Sequence, residues 1–104
     1  ERGQVMRITL NVPLGKYTLD EVIDTMAVNK VYLDSHYVKE NRVVVAVTHT
    51  LRTEDQVQES LGKACLQLEQ DYIQWFIHEK RVGHCIGPHV VDHFDPSTFY
   101  HFGA

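Results

Sequence analysis

Residues 5 to 12 alternate between apolar and polar side chains, which is the pattern of a β-strand with one buried face. The apolar positions are Met6, Ile8, Leu10 and Val12, and the polar residues Arg7, Thr9 and Asn11 lie between them. Pro13 and Gly15 then interrupt the pattern. The segment therefore predicts a first strand that turns its apolar face to the core.

The period changes to three and four residues after this strand, which predicts an amphipathic helix. Thr18 and Glu21 have the spacing of a capping box, so the helix begins at Thr18. Asn29 and Lys30 end it. Its buried stripe consists of Leu19, Val22, Ile23, Met26 and Ala27.

Two segments rich in β-branched and aromatic residues, 31–38 and 42–51, follow the helix and are separated by Lys39, Glu40 and Asn41. Asparagine adopts positive φ at low cost, so this arrangement predicts a β-hairpin. Positions 43–47 are apolar without alternation. That pattern is typical of a strand in the centre of a sheet, or of one whose outer face is covered.

A second capping box, from Thr53 to Gln56, predicts the start of the longest element. The apolar residues that follow keep a helical spacing: Val57, Leu61, Ala64, Cys65, Leu68, Tyr72, Trp75 and Phe76. No proline occurs before Pro88, so we expect one helix from Thr53 to about Lys80. It would be roughly 40 Å long. Strands rarely exceed about 20–30 Å, so this helix should extend beyond the sheet it covers.

The predicted order of elements is strand, helix, strand, strand, helix, with a fourth strand from residues 82–86 or 89–94. It predicts an α+β fold of the ferredoxin-like split βαβ type, with two helices on one face of an antiparallel sheet and an unusually long second helix. We expect a single domain over residues 1–104. Residues 1–5 are expected to belong to an upstream sequence, and residues 81–104 to form an irregular, histidine-rich tail that packs on the long helix or on a partner.

The far half of the predicted helix has apolar residues on more than one face, and one sheet cannot cover both. Either the tail folds back on it or a second chain covers it, and we expect a homodimer or another protein partner. The predicted interface consists of Leu66, Tyr72, Ile73, Trp75, Phe76 and Ile77.

Composition narrows the classes of partner. The net charge is −4 and the basic residues are scattered, which disfavours nucleic acid. No apolar run approaches the ~20 residues of a membrane span, so no membrane partner is expected. Two cysteines are too few for a disulfide framework. We therefore expect a cytoplasmic protein with reduced thiols.

The histidine-rich tail is the strongest candidate for chemistry. Imidazole and thiolate are natural zinc ligands, so His84, Cys85, His89 and His93 are candidate ligands for a zinc ion. We expect these to be surface or capping histidines that do not converge, with no cofactor bound, and the zinc site is the alternative. Adjacent side chains diverge, so His84 and Cys85 do not suggest a nucleophile with its base.

The outer face of the sheet is a third candidate site. Arg7, Asn11, Tyr32 and His36 could bind a small ligand there, or they could form an ordinary solvated face. Glycine-rich phosphate loops and G-x-S-x-G elbows are absent from the sequence. The leading hypothesis is a non-catalytic protein-binding or regulatory module that self-associates through its long helix. The alternatives are a metal-dependent enzyme or metal sensor, and a small-molecule-binding module.

Overall fold

The structure is a computed structural model that describes residues 6–39, 42–50 and 52–88. Its elements in chain order are β1 (Met6–Pro13), α1 (Leu19–Val28), β2 (Ser35–Lys39), β3 (Arg42–Thr50), α2 (Glu54–Gln67), β4 (Ile73–Ile77) and β5 (Val82–Ile86). The strands form one antiparallel sheet in the order β2-β3-β1-β4-β5. The predicted α+β architecture is therefore confirmed.

Strand β1 lies at the centre of the sheet. Its apolar residues face the core, as its alternating pattern predicts. It pairs with β3 on one side and β4 on the other. Ile8 and Leu10 are each 1% exposed and pair with Ile77 and Trp75. This face of the sheet packs against both helices and forms the hydrophobic core.

Both capping boxes form as predicted. The Thr18 hydroxyl accepts the Glu21 backbone N–H, and the Glu21 carboxylate accepts the Thr18 backbone N–H at 2.9 Å. Thr53 and Gln56 make the same exchange at the start of α2. Each box satisfies two backbone donors that a helix leaves free in its first turn, which fixes where the two helices begin.

The hairpin of β2 and β3 is present, although residues 40 and 41 at its tip lie outside the described residues. Between the pairs Thr9–Val47 and Asn11–Val44, two steps along β1 correspond to three along β3. Strand β3 therefore contains a β-bulge with one extra residue. A bulge shifts the alternation of a strand, so the unbroken apolar run 43–47 could not be assigned to faces by period alone.

The prediction of one continuous helix from Thr53 to Lys80 is wrong beyond Gln67, where α2 ends. The backbone N–H of Glu69 donates to Leu66 O, and that of Gln70 donates to Cys65 O. Glu69 has a φ of +55°. These two bonds around a left-handed residue form a Schellman motif, the commonest way to end a helix. The chain then turns and re-enters the sheet as β4.

This correction removes the predicted mismatch between helix and sheet. With 14 residues, α2 is only about 21 Å long, which matches the strands. The predicted irregular tail is also corrected at its start, because residues 82–86 form β5. The alternative strand over residues 89–94, and the rest of the tail from residue 89, lie outside the described residues.

Candidate functional site

The predicted partner interface falls mostly within the core. Ile73, Trp75 and Ile77 are fully buried on the helix-facing side of β4, and Phe76 is only 8% exposed on the opposite side. Tyr72, just before β4, is half-buried. The predicted helical surface does not form, because these residues belong to a strand between β1 and β5. Leu66 alone of the predicted set is well exposed, at 64%.

Leu66 lies on an outer face of α2, beside strand β5. This face and the residues after β5 enclose a groove of about 590 Å³, which we call the α2–β5 groove. Its lining residues are Asp55, Gln58, Glu59, Gly62, Lys63, Leu66, Ile86, Gly87 and Pro88. The members from α2 recur every three or four residues, so they share one side of the helix.

Gly62 lies where α2 approaches β5. A Cβ atom built at this position would lie 3.6 Å from Ile86 Cδ1, which is ordinary van der Waals contact. The helix backbone therefore packs directly over the end of β5, with no side chain of its own between them. Gly62 and Leu66 both line the groove, one turn apart on α2.

Glu54 joins the start of α2 to the β4–β5 hairpin. Lys80 Nζ donates to Glu54 Oε1 at 3.1 Å. His84 Nε2 lies 3.0 Å from Glu54 Oε2, which is ion-pair distance without hydrogen-bond alignment. Further along α2, Lys63 Nζ is 3.5 Å from the Glu59 carboxylate, and both side chains are largely exposed. Exposed pairs of this kind contribute little to stability, so both charges remain accessible to a partner.

Strand β5 forms one edge of the sheet. It pairs with β4, and no other described strand lies beside it. Its residues Val82, His84 and Ile86 pair with core positions of β4, so they lie on the same side of the sheet as α2. An edge strand presents backbone N–H and C=O groups that can pair with another chain. The groove adjoins this strand at Ile86, which lines it.

On the opposite face of the sheet, polar side chains of β1 meet polar side chains at and just beyond β4. Asn11 Nδ2 donates to Gln74 Oε1 at 3.2 Å, and the Thr9 hydroxyl contacts His78 Nε2. Thr9 and Asn11 are only 2% and 3% exposed. These contacts connect β1 with β4 and the residue after it, so these polar side chains are hydrogen-bond partners of one another.

Of the residues predicted for a ligand on this face, Arg7 and Asn11 both lie on β1, four positions apart, and contact different side chains, His78 and Gln74. Tyr32 is 62% exposed between α1 and β2, and His36 lies on β2 at the far edge of the sheet. Gln74 and His78 were missed, because the sequence placed them in a helix. The β-branched and aromatic residues of the segment Ile73–Ile77, with Gln74 between Ile73 and Trp75, were the signal for a strand that could have revealed them.

The His78 ring lies between Arg7 and Thr9. Arg7 Nη2 lies 3.4 Å from His78 Nδ1, and a guanidinium can only donate. The neutral tautomer that accepts from Arg7 at Nδ1 carries its hydrogen on Nε2, the nitrogen next to the Thr9 hydroxyl. A threonine nucleophile would need the opposite arrangement, with an unprotonated nitrogen facing its hydroxyl.

The predicted zinc ligands do not converge within the described part of the chain. His84 lies on the helix side of β5 and Cys85 on the other side, because successive strand residues point to opposite faces. Within residues 6–39, 42–50 and 52–88, no three potential ligands of the His, Cys, Asp or Glu type cluster. His89 and His93 lie outside the described residues.

Both cysteine thiols are in environments that suppress their reactivity. Burial raises the pKa of the Cys65 thiol, which is fully buried and donates to Gln70 O at 3.2 Å. Burial also raises the pKa of Cys85, and a hydrogen bond with Gln74 opposes that shift only in part. The thiolate is the nucleophilic form, so neither residue is activated.

Comparison with protein-family models, with curated proteins and with solved structures found no match for this chain. Among the described residues, neither helix is long and apolar enough to cross a membrane.

Proposed function

We propose that this chain is a small non-catalytic protein-binding module that self-associates through the α2–β5 groove and the adjoining edge of β5. The observation that carries the proposal is the 64% exposure of Leu66 in a groove beside an edge strand. Covering a leucine side chain fully is worth about 1.5–3 kcal/mol. Backbone pairing along β5 would add directional contacts to this apolar one.

The arrangement of the other candidate groups supports a binding role. The two cysteine thiols are not activated, because burial raises the pKa of each. At α2 and β5, the exposed side chain of Leu66 lies beside an edge strand of the sheet. We therefore propose that self-association uses this groove and not the far half of a long helix.

The same proposal includes a finer assignment of the fold as ferredoxin-like with one added edge strand. The order of elements up to β4 supports it, as does the strand order β2-β3-β1-β4. In this assignment β5 is the added edge strand, and it forms part of the proposed interface.

Sedimentation equilibrium of the whole chain tests the proposal. We expect a dimeric mass at about micromolar to tens of micromolar concentration, the range of modest protein interfaces. Leu66→Arg should shift the mass to that of a monomer while the circular dichroism spectrum stays unchanged. Val28→Arg is the matched control, because Val28 is 75% exposed on α1, away from the groove. A monomeric wild-type chain would overturn the proposal, as would a Leu66→Arg variant that dimerises normally.

A further inference from the structure

Strand β5 has an apolar pattern that is symmetric about its central residue. Val82 and Ile86 lie two positions on either side of His84, on the side of the sheet that α2 covers. Val82 is 38% exposed, and Ile86 packs against the core only in part. When a strand pairs antiparallel with its own copy about its central residue, these positions fall opposite each other. Each exposed Val82 would then contact the other copy's Ile86.

The outer face of α2 has a charge pattern that complements itself in the same orientation. Asp55 and Glu59 lie in its N-terminal part, and Lys63 lies further toward its C-terminus. Two such helices side by side and antiparallel place each lysine opposite the acids of the other helix. Parallel helices would instead place like charges together.

A single symmetry axis satisfies both patterns. A two-fold axis normal to the sheet at His84 makes the β5 strands antiparallel and keeps both α2 helices on the same side of the joined sheet. A two-fold axis along the strands would put the helices on opposite sides, where the grooves could not meet. Closed two-fold contacts of this kind use one surface twice, as the self-complementary patterns require.

We propose that the occupant of the α2–β5 groove is a second copy of this chain, joined by antiparallel β5–β5 pairing about this axis, with α2 antiparallel to α2. The inference rests on the proposed function and adds the geometry of the pair. The two five-stranded sheets become one continuous sheet. Leu66 of each copy lies over the N-terminal half of the other copy's helix, and Lys63 faces the other copy's Asp55 and Glu59.

Charge reversal in two complementary variants tests this geometry on the full chain. Lys63→Glu makes the face wholly acidic, and the double variant Asp55→Lys with Glu59→Lys makes it wholly basic. Each alone should self-associate at least about tenfold more weakly than the wild type, because like charges meet at the axis. An equimolar mixture should form a one-to-one heterodimer with at least the affinity of the wild-type pair.

Asp24→Lys on the exposed surface of α1 is the control for charge reversal as such, and it should leave the mass unchanged. Circular dichroism confirms that each variant is folded. Charge variants that dimerise like the wild type, or a mixture that does not associate, would overturn this geometry. If the wild type is dimeric and Leu66→Arg dissociates it, such results leave the proposed function standing. A monomeric wild-type chain overturns both proposals.

Discussion

His84 stacks on Trp75, with ring centroids 4.6 Å apart and an angle of 27° between the rings. The contact joins paired residues of β4 and β5. Trp75 is fully buried, and its Nε1 has no hydrogen-bond partner within the described part of the chain. The burial of Trp75 therefore depends on packing. Part of this packing comes from His84 of β5, a strand that begins only seven residues after Trp75.

Trp75→Ala should destabilise the fold strongly rather than act on assembly. Large-to-small substitutions of buried aromatic residues cost about 3–5 kcal/mol, from lost apolar burial and from the cavity. The free energy of unfolding from urea titration measures this loss. Val28→Ala is the control, because Val28 is 75% exposed on α1 and its change should stay within about 0.5 kcal/mol. A Trp75→Ala variant that is as stable as the wild type but has a changed oligomeric mass would contradict this expectation. It would instead indicate that Trp75 lies in an interface with a partner.

Two glycines should respond to alanine in opposite directions. At Gly87, a Cβ atom would lie 2.3 Å from Asp71 O and 2.8 Å from Tyr72 Cα, both backbone atoms, so Gly87→Ala should cost about 1–3 kcal/mol. At Gly62, the added Cβ would make an ordinary contact with Ile86 inside a helix. Gly62→Ala should therefore stabilise by about 0.5–1 kcal/mol. Thermal unfolding of the two variants, at a protein concentration too low for dimers to form, compares their stabilities. Equal changes in stability for Gly87→Ala and Gly62→Ala would contradict this packing.

Local sequence patterns were sufficient for part of the fold. The alternation in β1 and the two capping boxes depend on residues close in sequence, and each predicted its element. The end of α2 could not be predicted in that way, because its Schellman motif uses Glu69 in the left-handed conformation where glycine is usual. Apolar residues from Tyr72 to Ile77 then satisfied a helical spacing as well as a strand spacing.

The candidate site depended on contacts that are distant in sequence. That β5 is an edge, and that α2 lies beside it, follows from the order of strands in the sheet, which no local pattern contains. Leu66 was selected as part of a second apolar stripe on a helix that would include Ile73 and Ile77, and that helix ends at Gln67. The neighbours of Leu66 in the groove, Gly62 and Lys63, had no apolar pattern to mark them.

The two cysteines should differ in their access to a thiol reagent. Cys65 is fully buried and hydrogen-bonded, so it should react with an aromatic disulfide only when the chain unfolds. Cys85 is partly accessible on β5, and it should react first, though more slowly than a free thiol because burial raises its pKa. Absorbance with and without urea follows both steps. Rapid labelling of Cys65 in the native chain would contradict the described packing of α2.

Glu69 should couple stability to pH through its contacts with the segment before α1. Its carboxylate accepts hydrogen bonds from Lys16 Nζ at 2.9 Å and from the Tyr17 hydroxyl at 3.0 Å. The hydrogen bond from Lys16, followed by that from Tyr17 and by the lysine charge, lowers the pKa of Glu69. The same contact raises the pKa of Lys16.

The direction of the pH effect follows from these shifts. A carboxyl whose pKa is lower in the folded state stabilises fully above its unfolded pKa, and this stabilisation is lost as the pH falls through the folded pKa. Lys16 keeps its charge throughout this range because its pKa is raised. Glu69→Gln should therefore reduce the free energy of unfolding near about pH 7 and have much less effect near about pH 3. A double-mutant cycle with Lys16→Met isolates the pair, and a coupling energy that is equal at both pH values would contradict this role of Glu69.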